Sequence, residues 1–377
     1  MFRQERLMAS IKGEAVDRPP VSFYELNGLD ENPENSDPFN IYSHPSWKPL
    51  LNLTREKTDR IVMRGVPFKN TPEDSLKEFT EINTRIEGKS EFTTITIKAG
   101  NRILRSMSRR DMDVRTTWRL EHLLKNMDDF KTYLDLPETP PGGEPDISGI
   151  LKTEELLGDT GIVMIDTSDP LCNAAELFSM QDYIMTAFSY PDMFHKLLER
   201  FFSALYFRIE AIARVLPGKL WRIYGPEFAS PPYLPPSFFT EYVVKYDKPL
   251  IDLIRKSGGY PRIHCHGRIK DILGGIITTG CTGLDPIEPP PQGDVELSYV
   301  RNKYGKNLTL FGNLEVSDIE NLPEPEFEKK VIKALQEGTA GEGRGFVLMP
   351  SACPYGRILS DLTLKNYEKI IEVVEKF

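Results

Sequence analysis

Past residue 160 this chain alternates short apolar runs with amphipathic helical stretches, unbroken to its C-terminus, and no other feature limits its fold as much. Gly161-Ile162-Val163-Met164-Ile165-Asp166 is a compact apolar run that predicts a strand. Over residues 192–215 Phe194, Leu197, Leu198, Phe201, Leu205, Ile209 and Ile212 recur every three or four positions, the spacing of one helix face. Pro191 suits its first turn and Pro217-Gly218 its end. The same reading gives strands at 220–224, 261–266, 283–285, 308–311 and 346–349. It gives helices at 236–256 (kinked at Pro249), 268–279, 295–304, 324–337 and 363–377, with Asp294 capping the fourth of these six later helices counted from 192. Parallel strands need long crossovers between them, so the alternation implies an α/β fold on a parallel sheet. With Pro20-Val21-Ser22-Phe23-Tyr24 as an early strand, the units approach the eight of a (β/α)8 TIM barrel. A doubly wound open sheet is the alternative. It is weakened because no GxGxxG or GxxxxGK[ST] loop follows a strand, and Gly341-Glu342-Gly343-Arg344-Gly345 precedes one, as a flexible turn.

The first 160 residues read differently. Phe92 to Lys98, then Ala99-Gly100-Asn101, then Ile103 to Ser106 carry a hairpin signature. Residues 81–122 are therefore expected to be a β-hairpin insertion or flap within a single domain spanning 1–377, after an N-terminal extension. Pro137 to Pro145 is a connector. An apolar content of 40% argues against disorder. The formal charge of −9 makes nucleic acid a poor partner, and the basic cluster Arg102, Arg105, Arg109, Arg110, Arg115 and Arg119 is interleaved with acids, as a solvated hairpin face would be. No window is apolar enough for a membrane span, and the start lacks a secretory core. Cys172, Cys265, Cys281 and Cys353 form no CxxC pair, which fits a reduced, cytoplasmic compartment.

A barrel gathers its chemistry at the C-terminal ends of its strands. Asp166 and Asp169, Glu227, His264 and His266, Asp285 and Glu288, Asn313 and Cys353 fall there. His264-Cys265-His266-Gly267 is the sharpest motif. Alternation along a strand turns both imidazoles to one face and Cys265 to the other. Two imidazoles at a barrel mouth suit zinc, or a hydrogen-bonded pair that orients substrate. Cys265, Cys172 and Cys281 are expected to be core thiols. Cys353, on the loop after the last strand, is either a third ligand or a small loop residue. Glu227, on a loop stiffened by Pro226, Pro231 and Pro232, suits acid/base work, metal ligation or substrate anchoring. Tyr24, Asp169, Asp285 and Asn313 complete the candidate substrate pocket.

At these segments the sequence resembles the uroporphyrinogen decarboxylase family, which also contains zinc-dependent, corrinoid-protein methyltransferases. Met8-Ala9-Ser10, Gly13-Glu14 and Asp17-Arg18-Pro19-Pro20-Val21 look like the family's opening. Gly225 to Tyr242, His264 to Gly267, Asp285 to Asp294, Phe311-Gly312-Asn313 and Pro350 to Pro354 follow its later landmarks in order. The resemblance implies a (β/α)8 barrel. True porphyrinogen decarboxylases carry carboxylate-gripping arginines where this chain has Ser22-Phe23-Tyr24-Glu25-Leu26-Asn27-Gly28, which disfavours a porphyrinogen substrate. The methyltransferase branch carries His-x-Cys and a distant Cys as zinc ligands, and His264 and Cys353 match it, with His266 in place of the first Cys. The resemblance thus implies zinc on His264, His266 and Cys353, with Glu227 and His264 as catalytic groups. It also implies methylcobalamin (cobalamin) carried by a corrinoid partner protein and a small-molecule substrate. A decarboxylase of a smaller acid and a non-catalytic ligand-binding barrel are the alternatives, and the chain is expected to be a monomer or homodimer.

Overall fold

A computed structural model describes residues 1–343 and 345–377, so Arg344 of the glycine-rich turn lies outside the described residues. Seven strands form one parallel sheet in chain order: Arg60–Arg64, Gly161–Ser168, Leu220–Tyr224, Tyr260–His264, Gly283–Asp285, Thr309–Leu314 and Gly345–Pro350. The sheet is curled, with helices between successive strands. Its two outer strands are both tied to one residue. Val21 bridges Leu348 in parallel, and its carbonyl accepts from the Asp59 N–H at 2.7 Å, just before the Arg60–Arg64 strand. The expected 20–24 strand thus reduces to a single bridge: the Ser22 N–H donates to the Leu348 carbonyl at 3.0 Å and the Leu348 N–H to the Pro20 carbonyl at 2.9 Å, while the Val21 N–H is taken by the Asp59 side chain at 2.9 Å.

Two apolar clusters sandwich the sheet. On its concave side Leu7, Ile11, Ile61, Met164, Phe311 and Met349 pack together, and the Arg3–Lys12 helix supplies the first two. The larger cluster lies between the convex side and the helices. It takes in the buried stripe Phe194, Leu197, Leu198, Leu205, Ile209 and Ile212 of the Pro191–Val215 helix, whose Pro191 occupies the first turn as expected. Each such side chain, fully withdrawn from water, contributes about 1.5–3 kcal/mol before its lost freedom is counted.

Several elements differ from the sequence reading. The Arg60–Arg64 strand was not expected. The Tyr260–His264 strand ends two residues early, so His266 stands on the loop beyond it. The 268–279 helix shortens to a turn at Lys270–Ile272 and a helix at Leu273–Thr278. Asp294 caps no helix of its own, since its Oδ1 accepts from the Lys270 N–H at 3.0 Å. Pro249 lies inside the Lys245–Lys256 helix, while the irregularity is a wide turn at Thr240–Val244 just before it. In the 81–122 region the hairpin is part of a four-stranded antiparallel sheet, Thr80–Glu87, Ser90–Ala99, Arg102–Asp111 and Thr117–Glu121, called the flap below. Among the described residues no helix is long and apolar enough to cross a membrane.

Candidate active site at the C-terminal edge of the sheet

Register explains the centre of the site. His264 lies opposite Asp285 on the next strand, and two residues earlier Arg262 lies opposite Gly283. Period two along a strand sends Arg262 and His264 to the same, concave side. Gly283 makes room there: a Cβ on it would stand 2.9 Å from the Phe311 ring and 3.2 Å from Arg262 Cγ. Arg262 is wholly buried, its guanidinium 4.8 Å from the ring centres of both Tyr24 and Phe311, and its Nε lies 2.9 Å from Asp285 Oδ1. Asp285 is equally buried, and its Oδ2 accepts from His264 Nδ1 at 2.7 Å. A carboxylate accepts only, so the shared proton sits on Nδ1 and leaves the Nε2 lone pair unshared.

The electrostatics follow. Burial alone pushes the Asp285 carboxyl up, but Arg262, His264 and Arg222 overcome it and hold the group down at about 2. Burial lowers the basicity of His264 from its ordinary value, and Asp285 offsets only part of this. The result is a neutral imidazole in front of a permanent carboxylate.

His266 belongs to a second dyad. Its ring meets that of His264 edge-on, centroids 4.5 Å apart, and its Nδ1 donates to Glu288 Oε1 at 2.8 Å. The other Glu288 oxygen takes the Gly267 N–H at 2.6 Å, an approach that depends on the left-handed backbone of Gly267 (φ 83°). Burial disfavours a charge on His266, but the Glu288 hydrogen bond and charge, with Glu227 and Asp285 behind them, raise it to about 9. The two imidazoles therefore differ at neutral pH, one neutral and one cationic.

The remaining candidates take separate places. Glu227 sits in the turn at Pro226–Ala229, its Oε2 accepting from the Gly225 N–H at 3.1 Å, on the rim beside a cavity of about 410 Å³ that Arg119, His122, Glu176, Tyr183 and Phe228 help line. Asn313 Nδ2 donates to the Ile287 carbonyl at 3.2 Å and so steadies the turn carrying Glu288. Tyr24 is buried, its hydroxyl donating to Glu25 Oε1 at 3.1 Å; its ring walls Arg262 and lines a small cleft with Glu25, Leu26 and Cys353. Asp169 is fully buried too, capping the Pro170–Ala175 helix. Among the described residues its other oxygen and both oxygens of buried Asp247 have no hydrogen-bond partner, and burial pushes both carboxyls well above their usual range. Cys265, Cys172 and Cys281 are buried, as expected of core thiols.

Cys353 keeps other company. Its N–H donates to Glu25 Oε2 at 3.1 Å, and its side chain packs on the outer apolar cluster. Burial, followed by the charge of Glu25, pushes its thiol up to about 12. Among the described residues no three His, Cys, Asp or Glu side chains are arranged to hold a metal ion. In each imidazole Nδ1 is spent on a carboxylate, as in metal-binding histidines generally, and a metal would have to displace the second proton of His266. The three-donor set with Cys353 does not fit as it stands.

Three residues that shape this site were not singled out from sequence: Arg262, Arg222, and Glu288 as the His266 partner. Arg222 pairs with Asp166 at 3.0 Å. The two arginines did leave a signal, since Trp221-Arg222-Ile223 and Pro261-Arg262-Ile263 each put a cation at an inward position of an otherwise apolar strand.

A family model described as uroporphyrinogen decarboxylase (URO-D) matches residues 150–377. Among solved structures the chain is similar to a methyltransferase from Methanosarcina mazei, at 15% identity and a TM-score of 0.61, over 100% of this chain and 99% of that one. A D-psicose 3-epimerase from Clostridium cellulolyticum H10 (9% identity, TM-score 0.31, 61% of this chain and 93% of that one) is too distant to bear on the fold. So is a putative fructose-1,6-biphosphate aldolase from Coccidioides immitis (11%, 0.29, 61% and 86%). No curated protein sequence matches the chain.

Proposed function

The chain belongs to the uroporphyrinogen decarboxylase (URO-D) family, and from that premise we propose that it is a methyltransferase-type enzyme acting on the heteroatom of a small molecule, with His264 as its base. One observation carries the reading: the 2.7 Å contact of His264 Nδ1 with buried Asp285. It fixes the ring and its tautomer and leaves Nε2 to accept a proton from a substrate O–H or S–H. A corrinoid protein, docked at the mouth, would supply the methyl group as its cobalt-bound form. Arg262 acts through Asp285 as a positioning residue. His266, held cationic by Glu288, would stabilise the anionic heteroatom before attack, and Glu227 on the rim would anchor substrate entering from the cavity beside Phe228.

Zinc on His264, His266 and Cys353 is the ligand set that the resemblance implies. It would lower the pKa of a bound thiol or alcohol. The sulfur's separate position means that no step here passes through it. The scaffold we infer is a closed (β/α)8 barrel with residues 20–22 as its eighth strand, and the Val21 bonds to both outer strands support that closure. Residues 1–377 would then be one domain, with the flap as an insertion.

The test is anaerobic incubation of the purified protein with methylcobalamin and a panel of thiols, phenols and alcohols, with zinc and with chelator. The expected result is protein-dependent demethylation of the cobalt, and His264→Ala slows it by roughly 10²–10⁴-fold while the circular dichroism spectrum is kept. Release of carbon dioxide from a carboxylate panel, with no consumption of methylcobalamin, would replace this reading with a lyase.

A further inference from the structure

We propose that the open edge of the flap pairs with the same edge of a second copy of this chain, joining two four-stranded sheets into one. The flap has two unlike edges. The Thr117–Glu121 edge is short, is interrupted by a register shift at Met107/Ser108, and is flanked by residues tied to the body of the molecule, Val114 bridging Gly356 and Leu124 bridging Phe178. The Thr80–Glu87 edge is eight residues long, pairs without a shift with Ser90–Ala99, and carries neither Pro nor Lys. Pro, Lys and bulges are among the devices by which sheet edges avoid pairing; the charges this edge does carry, Glu81, Arg85 and Glu87, are of both signs and can complement a second copy. Residues 81–87 are all exposed, including Ile82 at 65% and Ile86 at 59%.

The backbone dictates which groups are available. Glu87 and Ser90 flank the two-residue turn Gly88-Lys89, so they form a hydrogen-bonded pair. Counting back by twos, Arg85, Asn83 and Glu81 also turn their backbone groups inward to the neighbouring strand. Thr80, Ile82, Thr84 and Ile86 turn theirs outward to the open edge. A second copy related by a two-fold axis at Asn83 brings these even-numbered residues together, Thr80 opposite Ile86 and Ile82 opposite Thr84, so every outward N–H and C=O between them finds a partner.

Charge selects this register. It sets Glu81 of each copy against Arg85 of the other, in the closer, non-hydrogen-bonded kind of pair. Moving the axis one residue on, to Thr84, sets Glu81 against Glu87. Moving it one residue back, to Ile82, leaves Arg85 beyond the partner's strand. Arg85 already donates to Glu87 at 2.6 Å and covers Phe92 at 4.9 Å. Its guanidinium has five N–H groups, enough to take a second carboxylate. On the opposite face the four isoleucines at 82 and 86 become neighbours, next to Ile95 of the adjoining strand.

The experiment is sedimentation velocity on the full chain from about 1 to about 100 µM, the range for a modest interface. A two-chain species should grow with concentration. Glu81→Arg alone and Arg85→Glu alone each set like charges together and should weaken association by roughly tenfold or more. An equimolar mixture of the two variants, and the Glu81→Arg/Arg85→Glu double variant, should recover it. Amide exchange on the unmodified protein gives a readout without substitution: Ile82, Thr84 and Ile86 should become protected as concentration rises. A one-chain mass throughout, or a dimer indifferent to both single reversals, overturns the proposal.

Discussion

Arg262 and Arg109 are built from the same ingredients. Each lies on a strand, each has its guanidinium about 5 Å from an aromatic ring, and each has a carboxylate within 3.5 Å. Arg262 has Tyr24, Phe311 and Asp285, and Arg109 has Trp118 and Asp111. They differ in surroundings. The Arg262 and Asp285 side chains are both 0% exposed, whereas that of Arg109 is 37% exposed. In the mouth of the central sheet an ion pair has lost its water and is compensated only by protein groups, His264 on Asp285 and the Tyr24 and Phe311 rings on Arg262. On the flap, water and salt stand in for any partner that leaves. The mouth therefore holds its charges at a cost in desolvation and keeps them in one geometry, as a site needs. The flap keeps its charges at little cost and specifies little by them beyond partner choice.

The largest expected effect follows from breaking the buried pair from one side. Arg262→Met preserves bulk and leaves Asp285 charged and buried without its arginine, held only by the His264 hydrogen bond, and should cost about 3–5 kcal/mol in urea denaturation. Adding Asp285→Asn should return part of that loss. A cost below about 1 kcal/mol would mean that the two regions treat charge alike. A second test needs a buried carboxyl that no arginine or lysine pairs with. Glu315, after the Thr309–Leu314 strand, has Oε1 without a hydrogen-bond partner among the described residues and Oε2 against the Ser351 hydroxyl at 3.3 Å. Burial, then the charge of Glu288, raises it to about 7. A carboxyl raised in the folded state binds its proton more tightly there than in the unfolded chain. Its contribution is complete below about pH 4.5 and is lost as pH rises through about 7. Glu315→Gln removes that loss. It should leave stability at pH 4 nearly unchanged and raise it at pH 8 by on the order of 1–3 kcal/mol, read from denaturation midpoints at the two pH values.

The contrast between the regions was only partly legible in the sequence. The strands at 161–168, 220–224, 283–285 and 309–314 announced themselves because buried parallel strands are continuous apolar runs. The Arg60–Arg64 strand did not, because only Ile61-Val62-Met63 is apolar and charges close it on both sides. The His264/His266 pair was legible as a pair, but His266 reaches its place from a loop turned by Gly267, not by strand alternation. Its partner Glu288 is set by the fold of Pro286-Ile287-Glu288, to which no periodicity applies. The position of Cys353 depends on how the loop after the Gly345–Pro350 strand folds back on Glu25, a contact between residues far apart in the chain. Family resemblance carried its type but not its company. The flap was foreseen as a hairpin, and its outer strands were missed because Thr80–Glu87 alternates Ile with Thr and charge too weakly to stand out.

The smallest effect belongs to the flap. Arg109→Ala removes a half-solvated pair with Asp111 and a stack on Trp118, and should lower stability by no more than about 0.5–1 kcal/mol. The two parts separate by salt. Raising sodium chloride to about 1 M shortens the reach of charge to about 3 Å and should erase the Asp111 share, while contact with the indole survives. Arg109→Lys should behave conversely, keeping the charge and losing most of the planar stack. Its deficit relative to the unmodified protein should therefore persist in high salt. Thermal midpoints of the three proteins at two salt concentrations decide the matter. If Arg109→Ala instead cost as much as Arg262→Met, the flap would be ordered by its charges after all, and the distinction between a desolvated mouth and a solvated flap would fall.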